Sequence, residues 1–206
     1  MTNFNQVQRS IHKDTIGLVL CGGNSSRMGA DKSMLQYYDK PQRYHVYDML
    51  TPLCDQVYIS VNDSQADNTD EGYHVLADLP QYHNTGPMAA LLTAFTKFPK
   101  KNILLVGCDY PFLSTSDLIN FAACCTDVAA AFYNEAEHLF EPLLAWYPSR
   151  LFTTLKDMYA ENDHSLQHLL KEGQTVKYYA ADKHSIISVD THEAFITARK
   201  LISRVW

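Results

Sequence analysis

Short apolar runs rich in β-branched residues alternate along the chain with longer stretches whose apolar residues recur every three or four positions. The first run, Ile16 to Leu20, is closed by Cys21-Gly22-Gly23. The pattern then predicts a helix over 41–53, a strand over 56–61, a polar Asp/Asn-rich loop over 62–72 and a strand over 74–77. After Gly86-Pro87, Met88, Leu91, Leu92, Phe95 and Phe98 share one helical face, and Pro87 suits a first helical position. Residues 102–108 are apolar without alternation, as a strand covered on both faces should be, and the run stops at Asp109-Tyr110-Pro111. Ser114-Thr115-Ser116-Asp117 reads as a capping box for a helix to about Cys125. Strands over 128–133 and 143–147, helices over 149–160 and 165–171, a strand near 175–179 and a helix over 191–206 complete the count. Strands alternating with helices predict an α/β fold: a single-domain, three-layer α/β/α sandwich around a mostly parallel, doubly wound sheet of Rossmann type.

At 206 residues, 46% of them hydrophobic and 12% aromatic, the chain has material for one well-filled core. We expect a domain over 15–206 preceded by a polar extension over 1–14; no repeat or linker divides it. Seventeen Lys and Arg stand against 23 Asp and Glu, a net charge of −6 with no basic block. That excludes a broad nucleic-acid surface but allows a small phosphorylated ligand. Five cysteines without a C-x-x-C pair fit neither a disulfide framework nor a zinc knuckle, so buried thiols are expected. With no signal-like opening and no run of about 18 apolar residues, a cytoplasmic protein without membrane contact is expected.

The segment from Leu20 to Lys32 carries most of the chemistry. Gly22, Gly23 and Gly29 let backbone N–H groups approach phosphate oxygens, Ser25 and Ser26 add donors, and Arg27 and Lys32 add charge. A Walker A loop needs G-x-x-x-x-G-K-[ST]; here Gly23 and Gly29 are one position too far apart, and the lysine comes three residues after the second glycine instead of directly after it. A dinucleotide fingerprint, G-x-G-x-x-G, is also absent. Glycines alone would serve equally to turn the chain; the two cations and two serines favour a polyphosphate. Asp109, just past a buried strand, would offer an oxygen ligand for Mg²⁺ at the sheet's carboxyl edge, the helix cap nearby being Ser114 instead. His164 and His168 are four apart, but with Ser165 and Gln167 between them they lack the glutamate of a zinc helix. Tyr37, Tyr38, Tyr44 and Tyr47 could stack on a heterocycle but read more simply as the rim of a core.

Leu20-Cys21-Gly22-Gly23 through Arg27-Met28-Gly29 to Asp31-Lys32 resembles the L-x-G-G-x-S-x-R-M-G-x-D-K signature of molybdenum cofactor guanylyltransferase-like nucleotidyltransferases. His74 to Asp78 with Gly86 to Leu91, Leu104 to Pro111, Glu141-Pro142-Leu143, Ser165 to Leu170 and Val189 to Glu193 resemble the family's later segments. The resemblance implies a nucleotide-diphospho-sugar transferase-like fold and Mg²⁺-dependent transfer of GMP from GTP to molybdopterin-bound molybdenum cofactor, with release of pyrophosphate. It implies Arg27, Lys32 and Asp109 as catalytic residues and Asp109 with Asp190 as metal ligands. Leu20, Cys21, Gly22, Gly23, Lys32, Asp78, Gly86 and Asp109 would bind nucleotide, with either Ser60 or Asn62. Asp190 stands where the guanylyltransferases usually have Asn, and Cys21 where they have Ala. Proteins that deliver and accept the cofactor would be partners. Cytidylyl or sugar-phosphate transfer, or GTP binding without catalysis, are the alternatives.

Overall fold

The structure, a computed structural model, describes residues 14–21, 31–62 and 69–205. Seven strands form one sheet: β1 (Thr15–Leu20), β2 (Gln56–Val61), β3 (Val75–Ala77), β4 (Asn102–Gly107), β5 (Ala129–Asn134), β6 (Leu139–Tyr147) and β7 (Thr175–Tyr178). Their order is β3-β2-β1-β4-β6-β5-β7. All pairs are parallel except those made by β6, which runs antiparallel to β4 and β5. The helices are α1 (Gln42–Leu50), α2 (Pro87–Lys97), α3 (Thr115–Ala122), α4 (Leu151–Ala160), α5 (Leu166–Glu172) and α6 (His192–Val205). The expected mostly parallel α/β sandwich is therefore present, with one reversed strand inside it.

Strand alternation divides the core between the two faces. Leu104 and Val106 face α1 and α3, with Phe121 and Leu50; Ile103 and Leu105 face α2, α4 and α5, with Phe95 and Leu155. All eight are at most 1% exposed, so β4 is covered on both sides, as its unbroken apolar run predicted. The predicted boundaries hold to within one or two residues for most elements. Ser114 caps α3, accepting from the Asp117 N–H, and Ser165 caps α5 through the His168 N–H. Three differences stand out. The predicted helix over 41–53 tightens into a 3₁₀ turn at Thr51–Leu53, and α3 stops at Ala122 rather than Cys125. β6 begins four residues earlier than its apolar core indicated, because Glu141 and Pro142 interrupt the apolar pattern without ending the strand.

Between the pairs Ala131–Ala145 and Tyr133–Phe140, one residue of β5 lies opposite four of β6. Such a bulge re-aims side chains, and Pro142, which has no N–H to give a ladder, sits in it. The Tyr147 hydroxyl, buried in the core, donates to the Pro142 carbonyl at 2.8 Å and holds the bulge in place.

Among the described residues no helix is long and apolar enough to cross a membrane. Cys21, Cys54 and Cys108 are buried free thiols, while Cys124 and Cys125 are only partly covered. The extension over 1–13 lies outside the described residues.

Leu105→Ala should cost about 2–5 kcal/mol, as large-to-small changes in a sealed core do. Chemical denaturation would show it as a lower midpoint at unchanged slope.

Candidate active site

Strand order reverses between β1 and β4: β2 and β3 lie on one side of β1, and β6, β5 and β7 beyond β4. In doubly wound sheets ligands bind outside the carboxyl ends of the strands at such a point. Leu20 ends β1 and Gly107 ends β4, paired side by side. Cys21 follows Leu20 and gives its N–H to the Ser60 carbonyl at 3.2 Å; the Cys108 N–H reaches the Leu20 carbonyl at 3.1 Å. Their thiols touch, Sγ to Sγ 3.3 Å, and burial pushes the Cys108 thiol well above its ordinary value.

Asp109 comes next. Its carboxylate folds back against its own strand, and Oδ1 is sealed from solvent without a hydrogen-bond partner. A Cβ at Gly107 would lie 2.6 Å from that oxygen, so only glycine leaves room for this pose. Burial pushes the Asp109 carboxyl above the usual carboxylate range; the charge of Asp190 adds to the rise, and the Ser188 hydroxyl and Lys32 oppose it.

The segment ahead of α6 closes over this carboxylate. The Val189 N–H donates to the Asp109 carbonyl at 2.8 Å, and the Ser188 hydroxyl lies 3.1 Å from Asp109 Oδ2 and 3.3 Å from Asp190 Oδ2. Lys32 Nζ pairs with Asp190 Oδ1 at 2.7 Å. Asp31 caps the 3₁₀ turn Lys32–Met34, accepting from the Ser33 N–H and hydroxyl, which fixes the lysine's origin. Tyr37, buried against Phe195 of α6, is pushed up chiefly by burial and then by Asp109 and Asp190. It serves as packing beneath the site, and Tyr44 is core.

The structure thus brings Lys32, Asp109 and Asp190 together although 158 residues separate the two ends of the set. Leu20, Cys21, Ser60, Asn62 and Asp78 lie along the same carboxyl edge, on the β1-β2-β3 side. Ser60 pairs in register with Leu20 and is buried, whereas Asn62 is exposed just past β2. The Asp78 N–H extends the β2–β3 ladder to the Val61 carbonyl. Gly86 precedes α2 with φ 60° and ψ −141°, a conformation reserved for glycine. Arg27, Gly22 and Gly23 lie outside the described residues. His168 pairs with Asp163 on the surface and takes no part in the site.

Sequence reasoning assigns no role to Ser188, whose place two residues before Asp190 is its only signal, nor to the Tyr110–Glu141 contact. The Tyr110 hydroxyl donates to Glu141 Oε2 at 2.9 Å. Burial pushes the Glu141 carboxyl up, Tyr110 and Asn134 oppose the rise, and Glu137 and Asp109 reinforce it. A cavity of about 530 Å³ opens beside Ser188, lined by Glu141, Tyr133, Tyr179 and Lys183 among others. A second hollow of about 690 Å³, between Met49, Phe112 and Ile202, shares no residue with this cluster.

Among the described residues no three His, Cys, Asp or Glu side chains could hold a metal ion by themselves. Two carboxylates and a hydroxyl still fit Mg²⁺, a hard cation commonly held by one or two carboxylates with water and substrate phosphates. The buried, unsatisfied Asp109 Oδ1 is the oxygen that fits such a charge.

Residues 17–177 match the MobA-like NTP transferase domain. The chain belongs to that family, whose members are nucleotidyltransferases. Its similar relatives include a molybdenum cofactor biosynthesis bifunctional protein of Synechocystis, 34% identical over 69% of this chain and 42% of that protein. A probable molybdenum cofactor guanylyltransferase of Flavobacterium johnsoniae is 24% identical over 86% of both. The chain spans 42% and 52% of the length of the first two curated relatives it matches. In fold it is similar to molybdopterin-guanine dinucleotide biosynthesis protein A of Archaeoglobus fulgidus, with TM-score 0.73, 21% identity and coverage of 92% of this chain and 99% of that one. It is similar also to a CMP:2-keto-3-deoxy-manno-octonic acid synthetase, with TM-score 0.70, 12% identity and coverage of 94% and 100%.

A carboxyl raised by burial contributes stability below its unfolded value of 3.8 that is lost as pH climbs through the folded value. Asp109→Asn, which cannot ionise, should therefore melt at or above the native temperature at pH 7. The expected gain is about 2–4 °C per kcal/mol of relieved desolvation. Thermal unfolding from pH 7 down to 4 would show the gap closing.

Proposed function

We propose that this protein transfers GMP from GTP, with Mg²⁺, to the terminal phosphate of molybdopterin or its molybdenum-bound form, releasing pyrophosphate. The reading rests on Asp109: a carboxylate sealed on Oδ1, without a hydrogen-bond partner there, and placed where the sheet order reverses. Its neighbours Lys32 and Asp190 supply the charges a triphosphate and a cation require. The family of the chain and the names of its relatives point to the same donor and acceptor.

In this reaction an oxygen of the acceptor phosphate bonds to the α-phosphorus of GTP, and the bond from that phosphorus to the bridging oxygen of the β-phosphate breaks. The acceptor phosphate is already anionic near pH 7, so no Ser, Cys or His has to be activated. The protein's part is alignment and charge neutralisation. Asp109 and Asp190 would hold the cation, which would neutralise the phosphate oxygens and draw electron density from the reacting phosphorus. Ser188, whose one hydroxyl proton lies within reach of both carboxylates, bridges them. Lys32 would exchange its pair with Asp190 for the phosphates, where charge gathers on the leaving pyrophosphate. Leu20, Cys21, Ser60 or Asn62, Asp78 and Gly86 lie on the β1-β2-β3 side, where we place the guanosine; Gly22 and Gly23 would join them on the nucleotide, and Arg27 would join Lys32 on the triphosphate.

The deciding experiment measures pyrophosphate release from GTP and from CTP with Mg²⁺, with and without molybdopterin. Release from GTP only when the acceptor is present is expected. Release from CTP alone would transfer the reading to cytidylyl chemistry, and GTP binding without release under any condition would leave a binding protein. Lys32→Ala should lower turnover about 100- to 1,000-fold, the loss typical when one preorganised charge is removed. Gly107→Ala, which pushes the Asp109 carboxylate out of its pose, should cost about 100-fold in turnover with the circular dichroism spectrum retained.

A further inference from the structure

The cavity beside Ser188 lies on the β4-β6-β5-β7 side of the site, away from the segments to which the nucleotide is assigned. Its lining follows from the sheet. β5 and β7 run parallel to β4, so Asn134 and Tyr179 fall at the same carboxyl edge as Asp109. β6 runs the other way and brings its beginning, Glu141, to that edge, where the bulge at Pro142 frees it from the ladder. Glu141 is then fixed by the Tyr110 hydroxyl, and Tyr110 directly follows Asp109. One residue therefore joins the carboxylate proposed to hold the reaction's cation to the carboxylate that faces the cavity.

Two carboxylate oxygens offer about four acceptor positions. The Tyr110 hydroxyl donates to Oε2 and occupies one of them, which leaves an acceptor position on each oxygen. Walls of the cavity are aromatic: Tyr133 and Tyr179 meet edge to face with centroids 5.8 Å apart, and Tyr179 is 54% exposed. One face of Tyr133 is covered by Lys177, whose ammonium lies 3.9 Å from the ring centre. A flat heterocycle with two adjacent N–H donors on one edge matches this arrangement, since a carboxylate takes such a pair as it takes a guanidinium. A pterin has that edge in its N3–H and 2-amino group. A sugar has neither a flat face nor paired N–H donors. At about 530 Å³ the cavity is in the range of about 300 to 1,000 Å³ usual for small-molecule sites.

We propose that Glu141 is the specificity-determining residue for the acceptor, receiving the two N–H donors on the pyrimidine edge of a pterin ring that lies along Tyr179. The proposal rests on the acceptor class given above and adds the residue that reads it. Lys183 at the rim and Ser188 at the inner end leave the pterin's side chain, with its phosphate, directed toward Asp109.

The test titrates the full-length protein with 6-hydroxymethylpterin and with the matching lumazine, in which a carbonyl replaces the 2-amino group, reading the fluorescence of each. Native protein should bind the pterin at least about tenfold more tightly, the order of discrimination lost when a hydrogen-bonding edge is mismatched. Glu141→Gln keeps an oxygen for Tyr110 but turns an N–H₂ toward the ligand's donors, so pterin affinity should drop about tenfold or more and the preference over lumazine should vanish. Tyr179→Ala, at an exposed position, should weaken both probes together. Equal binding of the two probes, a preference that survives in Glu141→Gln, or no pterin binding at all would overturn the proposal. GTP binding measured on the same preparations separates the two readings: intact GTP binding without pterin binding removes only the role of Glu141, whereas absent GTP binding removes the guanylyl reading itself.

Discussion

The pairing of β1 with β4 is the contact on which the rest of this site depends. Their parallel ladder, from Thr15–Asn102 to Leu20–Gly107, brings Cys21 and Asp109 to one edge of the sheet from positions nearly ninety residues apart in sequence. Helices packed on both faces leave the loops only the sheet's carboxyl edge as an exit, and Gly107 lets the Asp109 carboxylate fold back onto that edge. Without a Cβ at Gly107, Oδ1 can occupy a dry pocket that raises its pKa and leaves it short of a partner. Burial at this point disfavours the charged form of the carboxylate.

Around that point the two halves of the sheet do different work. The β1-β2-β3 half is parallel and regular, and its loops carry Ser60, Asn62, Asp78 and Gly86. The β6-β5-β7 half contains the reversed strand and its bulge, and its edge carries Tyr133, Glu141 and Tyr179 around a cavity. Asp109, Ser188 and Asp190 stand between them. The proposed transfer from a nucleotide to a second phosphorylated molecule would need two adjacent sites with shared charge neutralisation at their border, and would use one half of the sheet for each. α6 is the clamp: Tyr37 against Phe195, and the Val189 N–H on the Asp109 carbonyl, keep Asp190 at the border.

Much of this was legible in sequence because local chemistry dictated it. An unbroken apolar run marks a doubly covered strand, Ser114 and Ser165 announce helix starts by satisfying free N–H groups, and Asp109 after such a strand has few structural roles. Glu141 and Ser188 carried no comparable local sign. A glutamate beside a proline is ordinary surface composition until the register of β6 against β5 turns it inward, and a serine becomes a bridge only once α6 docks.

By itself the sequence determined the α/β class, the element boundaries to within a few residues, and the glycine-rich segment, Lys32, Asp109 and Asp190 as candidates for phosphate chemistry. These depend on periodicity, capping and residue type, which are local properties. Tertiary structure alone decided the reversal of β6, the covered pose of the Asp109 carboxylate and its contact through Ser188 with Asp190. It alone also decided the placing of Glu141 and Tyr179 around one cavity. Each of these depends on which distant strands pair and in what register, a choice made by the packing of both faces of the sheet at once.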